Sequence, residues 1–210
     1  MSNETNLVQR HGVRERLNHW LVAIAFVLLA LSGLALFHPA FFFLTNLFGG
    51  GTWSRILHPF IGVIMFVSAL ALYMKFRDDN RITDADREWG RRLGSILANR
   101  TSGLPEAGKY NYAQKLLFWT LAFALPALLV TGIVIWQPYF APGFPIWLVR
   151  LAVLVHALAA FIAILAIIVH VYAAIWTPGS LRAMMRGTVT AAWARHHHPA
   201  WYRDISKGGK

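Results

Sequence analysis

The sequence predicts an all-α membrane protein, a bundle of four transmembrane helices with both chain termini in the cytoplasm. Three observations predict it. The 210 residues are 57% hydrophobic and only 14% charged, which is more apolar side chain than a soluble domain of this size can bury. Four apolar runs are each long enough to cross a hydrocarbon core of roughly 30 Å. Lysine and arginine concentrate in three of the segments that flank those runs.

The chain is interpreted as one integral membrane domain, 1–210. Its predicted spans are 17–37, 56–74, 113–136 and 146–176, followed by a tail, 177–210. Pro59 near the start of the second span is compatible with helix, because its missing N–H has no intrahelical partner there. Pro126 falls inside the third span, where a proline favours a kink.

The basic segments determine the predicted orientation. The amino-terminal segment, the connection 75–115 and the tail carry nearly all of the lysines and arginines. Positive segments stay cytoplasmic, so the chain crosses the membrane four times and both termini lie inside. The central connection predicts a short surface helix at about 84–97, and the tail predicts a helix at about 180–195.

Net charge and cysteine content exclude several classes of function. The formal charge of +11 is distributed beside the apolar runs rather than on one soluble face, which argues against nucleic acid as a partner. The chain has no cysteine, so it can ligate no iron–sulfur cluster and form no disulfide. Electron transfer would therefore need histidine or a partner subunit.

The fourth span contains two histidines inside apolar sequence, His156 and His170. Fourteen residues of helix separate them by about 21 Å along the axis. At about 100° per residue, both rings leave nearly the same face. Because a buried imidazole in a membrane is costly unless it binds something, each is a candidate functional residue.

Two further histidines match these in depth. His19 opens the first span near the cytoplasm, and His58 opens the second span near the outer surface. The fourth span runs inward, so His156 is its outer histidine and His170 its inner one. Depth pairs His58 with His156 and His19 with His170, which is the arrangement that axial ligation of two b haems requires.

Other interpretations of the four histidines remain open at this point. A histidine pair can bind zinc or copper, or relay protons. However, each level offers only two histidines, and the four predicted spans contain no acidic residue. Haem supplies four nitrogens of its own and needs only two from protein. His11 and the cluster His196 to His198 are predicted to lie in water or at lipid headgroups.

Five motifs together resemble the gamma subunit of respiratory formate dehydrogenase, its membrane cytochrome b. They are RERLNHW (14–20), RILHPFIG (55–62), KYNYAQK (109–115), IWQPYFAP (135–142) and ARHHHPAWY (194–202). The likeness covers nearly the whole chain from about Val13 onward. The four histidines match the family's haem ligands, in the pairing that depth predicts.

The resemblance implies a function and a set of partners. The family's subunit sits in the bacterial inner membrane as part of a formate:quinone oxidoreductase. It takes electrons from an iron–sulfur beta subunit that a molybdenum or tungsten alpha subunit feeds by oxidising formate, and the heterotrimer can assemble further. It holds two haem b groups and reduces menaquinone or ubiquinone near the cytoplasmic surface, in a pocket implied to form around Asn111, Gln114 and His170.

The quinone residues also have a simpler interpretation. Asn111 stands where the third span begins, and asparagine commonly caps a helix there.

Two rival functions also remain. One is a cytochrome b serving a nickel–iron hydrogenase or a thiosulfate reductase; the other is a haem-free membrane anchor or transporter.

Overall fold

The computed structural model describes residues 6–92, 94, 103 and 105–208 of the chain. Long helices dominate the described residues: α1 (Val13–Phe37), α2 (Gly51–Phe76), α4 (Tyr112–Ile135) and α5 (Ile146–Trp176). Shorter helices are α3 (Asp84–Arg91), α6 (Ser180–Arg186), α7 (Ala191–His197) and α8 (Pro199–Gly208). Two strands, β1 (Leu7–Gln9) and β2 (Thr188–Thr190), pair antiparallel.

The four long helices are apolar and long enough to cross a membrane. The prediction of an all-α protein with four transmembrane helices is therefore confirmed. In each helix, no more than 17% of the most apolar window is buried within the chain, so most of the leucine, isoleucine, valine and phenylalanine side chains face outward. Exposed apolar surface on this scale is compatible with hydrocarbon and not with water. The chain is a multi-pass membrane protein.

The chain divides into two compact units, which we call the apolar unit and the polar unit. The apolar unit contains Leu17–Met74 and Thr120–Val169. The polar unit contains Met1–Arg16, Lys75–Trp119 and His170–Lys210. The apolar unit thus holds most of the length of the four transmembrane helices, and the polar unit holds the basic connection, the tail and the adjoining helix ends.

Within the apolar unit, a 3₁₀ helix (Pro39–Phe48) follows α1. His38 caps it, because its Nδ1 accepts a hydrogen bond from the backbone N–H of Ala40. Gly49 ends it with φ of +87°, a conformation that glycine adopts at little cost. A second short 3₁₀ helix, Ala141–Gly143, lies in the proline-rich connection before α5.

The polar unit is held together by local caps and by the two-stranded sheet. Thr83 and Asp86 form a capping box at the start of α3, so two backbone donors that the helix leaves open are satisfied. The small core of the tail consists of Ala183, Val189, Ala194 and Trp201. Val189, buried in this core, is the middle residue of β2 and is paired with Val8 of β1.

Two predicted helices of the polar unit differ from the structure. The helix predicted at 180–195 is wrong as a single element, because Gly187 adopts φ of +82° after α6 and β2 follows before α7 begins. A side chain at Gly187 would also lie 2.7 Å from the carbonyl oxygen of His11. The helix predicted at 84–97 is shorter, because α3 ends at Arg91, and residues 93 and 95–97 lie outside the described residues.

Candidate haem ligands and quinone-site residues

His58 lies on the second turn of α2, inside the apolar unit, and is half-buried. Its Nδ1 is 2.8 Å from the hydroxyl oxygen of Ser32 on α1. That hydroxyl donates its single proton to the carbonyl of Leu28, 2.8 Å away, so it accepts from the imidazole. The proton therefore sits on Nδ1 of His58, and the lone pair of Nε2 is available to bind a metal.

His156 on α5 is held in the same way. Its Nδ1 is 3.0 Å from the hydroxyl oxygen of Thr131 on α4. Thr131 donates its proton to the carbonyl of Ala127 at 2.6 Å, and so accepts from Nδ1 of His156. Metal-binding histidines commonly have the second ring nitrogen fixed by such a partner, because this sets both the tautomer and the ring orientation.

A glycine stands against each of these two rings. A Cβ at Gly33 would lie 3.3 Å from Cε1 of His58, and a Cβ at Gly132 would lie 3.4 Å from Cε1 of His156. Both distances are at or near the limit for a carbon contact. The absence of a side chain at these two positions therefore lets each imidazole pack directly against the neighbouring helix.

The two rings approach each other at a distance that suits a shared iron. Their centroids are 6.4 Å apart and their planes are inclined by 60°. Imidazole nitrogens bind first-row metals at about 2 Å, and a ring centroid lies about 1 Å behind its nitrogen, so two axial imidazoles have centroids about 6 Å apart. The residues of this site fit a bis-histidine haem.

A simple metal ion fits this site less well. Among residues 6–92, 94, 103 and 105–208, no cluster of three or more histidine, cysteine, aspartate or glutamate side chains could hold a metal. Structural zinc sites need four protein ligands and catalytic sites need three. A haem brings its own equatorial nitrogens and requires only the two imidazoles.

The other two predicted ligands also lie on long helices. His19 is on the second turn of α1 and belongs to the apolar unit, whereas His170 is on α5 and belongs to the polar unit. Both side chains are half-buried. The ring of His19 also meets Trp20 edge to face at 5.6 Å. Their pairing on one haem remains a prediction from depth and from the resemblance.

Asn111 and Gln114 form a reciprocal cap at the start of α4. The side-chain oxygen of Asn111 accepts from the backbone N–H of Gln114 at 3.0 Å, and the side-chain oxygen of Gln114 accepts from the backbone N–H of Asn111 at 3.0 Å. The capping interpretation of Asn111 is thus confirmed, and the side-chain oxygen of Gln114 completes the cap. Because each oxygen is engaged, the two amide NH₂ groups are left as the hydrogen-bond donors of this pair.

A buried cluster around Arg10 was missed by the sequence interpretation. Arg10 and His198 are 7% and 2% exposed. Nη2 of Arg10 donates to the carbonyl of Lys109 at 2.7 Å and contacts Nε2 of His198 at 3.2 Å. The guanidinium carbon also lies 4.9 Å from the ring centroid of Trp201 and 5.1 Å from that of Trp193.

The charge states in this cluster follow from burial. Burial lowers the pKa of Arg10 to about 10, which still leaves it charged at neutral pH. Burial, together with the positive charge of Arg10, lowers the pKa of His198 to about 4, so this histidine is neutral. The prediction that His11 and His198 lie in water or at headgroups is therefore wrong, since both are buried.

A buried ion pair anchors the start of α4 to α3. Nζ of Lys115 lies 2.6 Å from Oδ2 of Asp86, with side chains 8% and 7% exposed. Lys115 also donates to the carbonyl of Arg81 at 3.0 Å. Burial raises the pKa of Asp86, but hydrogen bonds from Lys115 and Thr83 outweigh it, so the pKa lies below its ordinary value.

Four transmembrane helices that carry a facing pair of anchored imidazoles define the class of protein as a membrane cytochrome b. The chain belongs to the prokaryotic cytochrome b561 family, whose model matches residues 10–187.

Comparison with curated proteins narrows the class. The chain is 42% identical over 200 residues to the formate dehydrogenase cytochrome b556(fdo) subunit of Escherichia coli K12, covering 95% of this chain and 94% of the relative. It is 40% identical over 205 residues to the nitrate-inducible formate dehydrogenase cytochrome b556(Fdn) subunit of the same organism, covering 98% and 94%. It is 39% identical over 204 residues to the formate dehydrogenase cytochrome b556 subunit of Haemophilus influenzae, covering 97% and 85%. The predicted resemblance is confirmed.

Proposed function

We propose that this chain is the di-haem membrane subunit of a formate dehydrogenase and carries electrons from an iron–sulfur subunit to quinone. The observation that carries the proposal is the facing pair His58 and His156, with ring centroids 6.4 Å apart and each Nδ1 anchored on a hydroxyl. The relatives named above support the choice of complex, because all three are subunits of formate dehydrogenases.

Four histidines hold the two haem b groups in this proposal. His58 and His156 bind the iron of the outer haem, and His19 and His170 bind the iron of the inner haem. When bound, haem b supplies reversible one-electron exchange at its iron. The hydroxyls of Ser32 and Thr131 accept hydrogen bonds from Nδ1 of His58 and His156. These bonds raise the basicity of Nε2 and hold both rings in the ligating orientation.

Quinone binds beside the inner haem, at the cytoplasmic end of α4. Quinone carbonyls need hydrogen-bond donors, and the amide groups of Asn111 and Gln114 are donors whose oxygens are already engaged by the helix cap. His170 completes this proposed pocket. Nζ of Lys109 lies 2.6 Å from Oδ2 of Asp79, and we assign to this partly exposed pair the supply of protons from the cytoplasm.

The proposed orientation of the chain in the membrane determines whether electron transfer stores energy. Both termini lie in the cytoplasm, by the distribution of lysine and arginine, and the iron–sulfur subunit docks on the outer side. Moving one electron inward against a negative-inside potential costs about 2.3 kcal/mol per 100 mV. Proton uptake for quinone reduction on the inner side therefore conserves energy as a transmembrane gradient.

In the proposed complex, three subunits carry out different parts of the reaction. This chain reduces quinone, which is menaquinone or ubiquinone, and formate oxidation takes place on a molybdenum or tungsten alpha subunit. Electrons pass from there through the clusters of the iron–sulfur beta subunit. The four apolar helices anchor the complex in the bacterial inner membrane.

Purification of the intact complex with haem quantification tests this function. Affinity capture of this chain from membranes should recover two further subunits and two b haems per chain, and formate should reduce both haems in an optical difference spectrum. A chain recovered without haem would contradict the cytochrome function. Haems reduced by hydrogen but not by formate would contradict the choice of complex.

A further inference from the structure

The segment that leads into α4 is held by two side chains from opposite ends of the sequence. Arg10 donates through Nη2 to the carbonyl of Lys109 at 2.7 Å. Nδ1 of His198 lies 2.7 Å from the carbonyl oxygen of Gly108. These two carbonyls are consecutive in the chain, so the peptide between them is fixed at both ends.

The two side chains also hold each other. With the Nδ1 proton of His198 donated to Gly108, its Nε2 is an acceptor, and Nη2 of Arg10 approaches it at 3.2 Å. Neutral His198 is the protonation state that this arrangement requires, because a second proton would face the guanidinium. The three residues Arg10, His198 and Gly108 thus form a continuous chain of donors and acceptors, which we call the Arg10–His198 clamp.

The guanidinium of Arg10 is aligned by aromatic rings. Trp201, Trp193 and Tyr110 present their rings within 4.9, 5.1 and 5.8 Å of its central carbon. The backbone N–H groups of Arg10 and His11 both donate to the carbonyl of Gly187, at 2.9 and 3.1 Å. Arg10 is therefore held at its backbone, at Nη2 and over the face of its guanidinium, while Nη1 is buried without a hydrogen-bond partner among the described residues.

The clamp ends immediately before the proposed quinone residues. Tyr110 separates Lys109 from Asn111, whose side chain opens the reciprocal cap with Gln114. Because the backbone on both sides of Tyr110 is constrained, a shift of Gly108 and Lys109 displaces Asn111. The orientation of the Asn111 amide thus depends on contacts made two and three residues upstream.

We propose that Arg10 and His198 are positioning residues for quinone reduction, which hold the 108–111 segment so that the amide groups of Asn111 and Gln114 face the substrate. This inference rests on the proposed function. Stability alone does not require the buried charge of Arg10, because well-packed apolar groups often replace buried charged ones without loss of stability. Apolar groups could not hold the carbonyls of Gly108 and Lys109, which need hydrogen-bond donors.

The first experiment measures quinone kinetics in the intact complex. His198→Leu removes both contacts of the ring, and Arg10→Lys keeps the charge but loses the planar guanidinium. With decylubiquinone as acceptor, each variant should raise KM by about tenfold and lower kcat by a smaller factor. A tenfold change is the effect of losing one hydrogen bond of favourable geometry between the displaced amide and quinone. The haem spectrum and the rate of haem reduction by the donor subunits should be unchanged.

Two matched variants separate positioning from general disturbance. His198→Asn retains a donor near the place of Nδ1 and should recover most of the wild-type KM, because the bond to Gly108 is restored. Arg203→Gln removes an exposed arginine that pairs with Glu106, on the same connection, and should leave KM unchanged. An unaltered KM in both His198→Leu and Arg10→Lys would overturn the proposal, as would a loss of haem in proportion to the loss of quinone activity.

The closing comparison distinguishes this inference from the proposed function. Asn111→Ala and Gln114→Ala should each raise KM for decylubiquinone whether or not the clamp acts. If these two variants are impaired and the clamp variants are not, the positioning role is wrong and the pocket stands. If Asn111→Ala and Gln114→Ala are both unimpaired, the quinone pocket itself is misplaced.

Discussion

The apolar and polar units use their polar groups in opposite ways. In the apolar unit, hydroxyls such as those of Ser32 and Thr131 bond to carbonyls of their own helix and to one imidazole each. Ion pairs such as Lys115 with Asp86 and Lys109 with Asp79 lie in the polar unit. A histidine in hydrocarbon is thus oriented by neutral neighbours, whereas the connection and tail are fastened by charge.

Because of this difference, residue positions in the transmembrane helices are easier to predict from sequence than contacts in the polar unit. The predicted transmembrane histidines lie in regular helices, where spacing and depth determine position. His58 and His156 were predicted to be close, and their rings are close. The ligation itself stays a prediction, as does the pairing of His19 with His170.

Removing an imidazole of the outer pair should have the largest effect. His156→Ala or His58→Ala should eliminate one of two b haems, because each variant removes one of the two imidazoles that face each other at 6.4 Å in this site. Haem per chain, measured as the pyridine haemochrome of the purified complex, should fall by half while the second haem remains reducible.

The control for this loss is His38→Ala. His38 caps the 3₁₀ helix and contacts the backbone N–H of Ala40, so its removal should leave both haems bound. Simultaneous loss of both haems from each single-ligand variant, in protein recovered at normal yield, would show that the two sites are not independent.

Breaking the buried ion pair of the polar unit should come next. Lys115→Met leaves the carboxylate of Asp86 buried and unpaired, which costs about 3–5 kcal/mol of stability. The thermal midpoint of the detergent-solubilised complex should fall, and haem content before heating should not. Lys75→Met is the matched control, because the Lys75 side chain is 61% exposed in its pair with Glu15. An equal fall for both lysines would contradict the role of burial.

The loss of stability at acidic pH, which we call the acid limb, should change when Asp86 is replaced. Its pKa in the folded chain lies below the ordinary value of 3.8, so its contribution is present above that pH and is lost as the pH falls through the folded value. Asp86→Asn should lower stability at neutral pH and flatten the decline in thermal midpoint below about pH 4. An acid limb as steep as that of the wild type would assign the decline to other carboxylates.

Removing a hydroxyl anchor should have a moderate effect. Ser32→Ala leaves Nδ1 of His58 without its acceptor, and such partners change metal affinity by about 10–100-fold. Haem retention under dilution into detergent should fall for the outer haem alone. Ser54→Ala is the matched control, since this buried serine of α2 donates to the carbonyl of Gly50; the same haem loss in that variant would point to general loosening of α2.

An exposed ion pair should have the smallest effect. Arg203 and Glu106 have side chains 54% and 50% exposed, and pairs of this kind contribute little to stability. Arg203→Ala should leave the thermal midpoint and the haem spectrum unchanged. A clear fall in the midpoint would show that the tail is held more by its surface charges than by Val189 and Trp201.

The polar unit shows what the sequence could not reveal. His198 stands in a run of histidines followed by proline, which is typical of exposed polar sequence, yet it is buried against Arg10, 188 residues away. No periodic pattern marks such a contact. The strand Thr188–Thr190 was likewise missed, because its pairing with Leu7–Gln9 is visible only once both ends of the chain are placed together.

The pairing of β1 with β2 fixes an order of events during biosynthesis. The first strand leaves the ribosome before α1, α2, α4 and α5, and its partner emerges only after these four helices have been translated. Until then, Arg10 has neither Gly187 nor His198 to bind. The entry to α4 thus acquires its contact with His198 only after the tail is translated, and a ribosome that stops short of the tail leaves behind a polypeptide that lacks it.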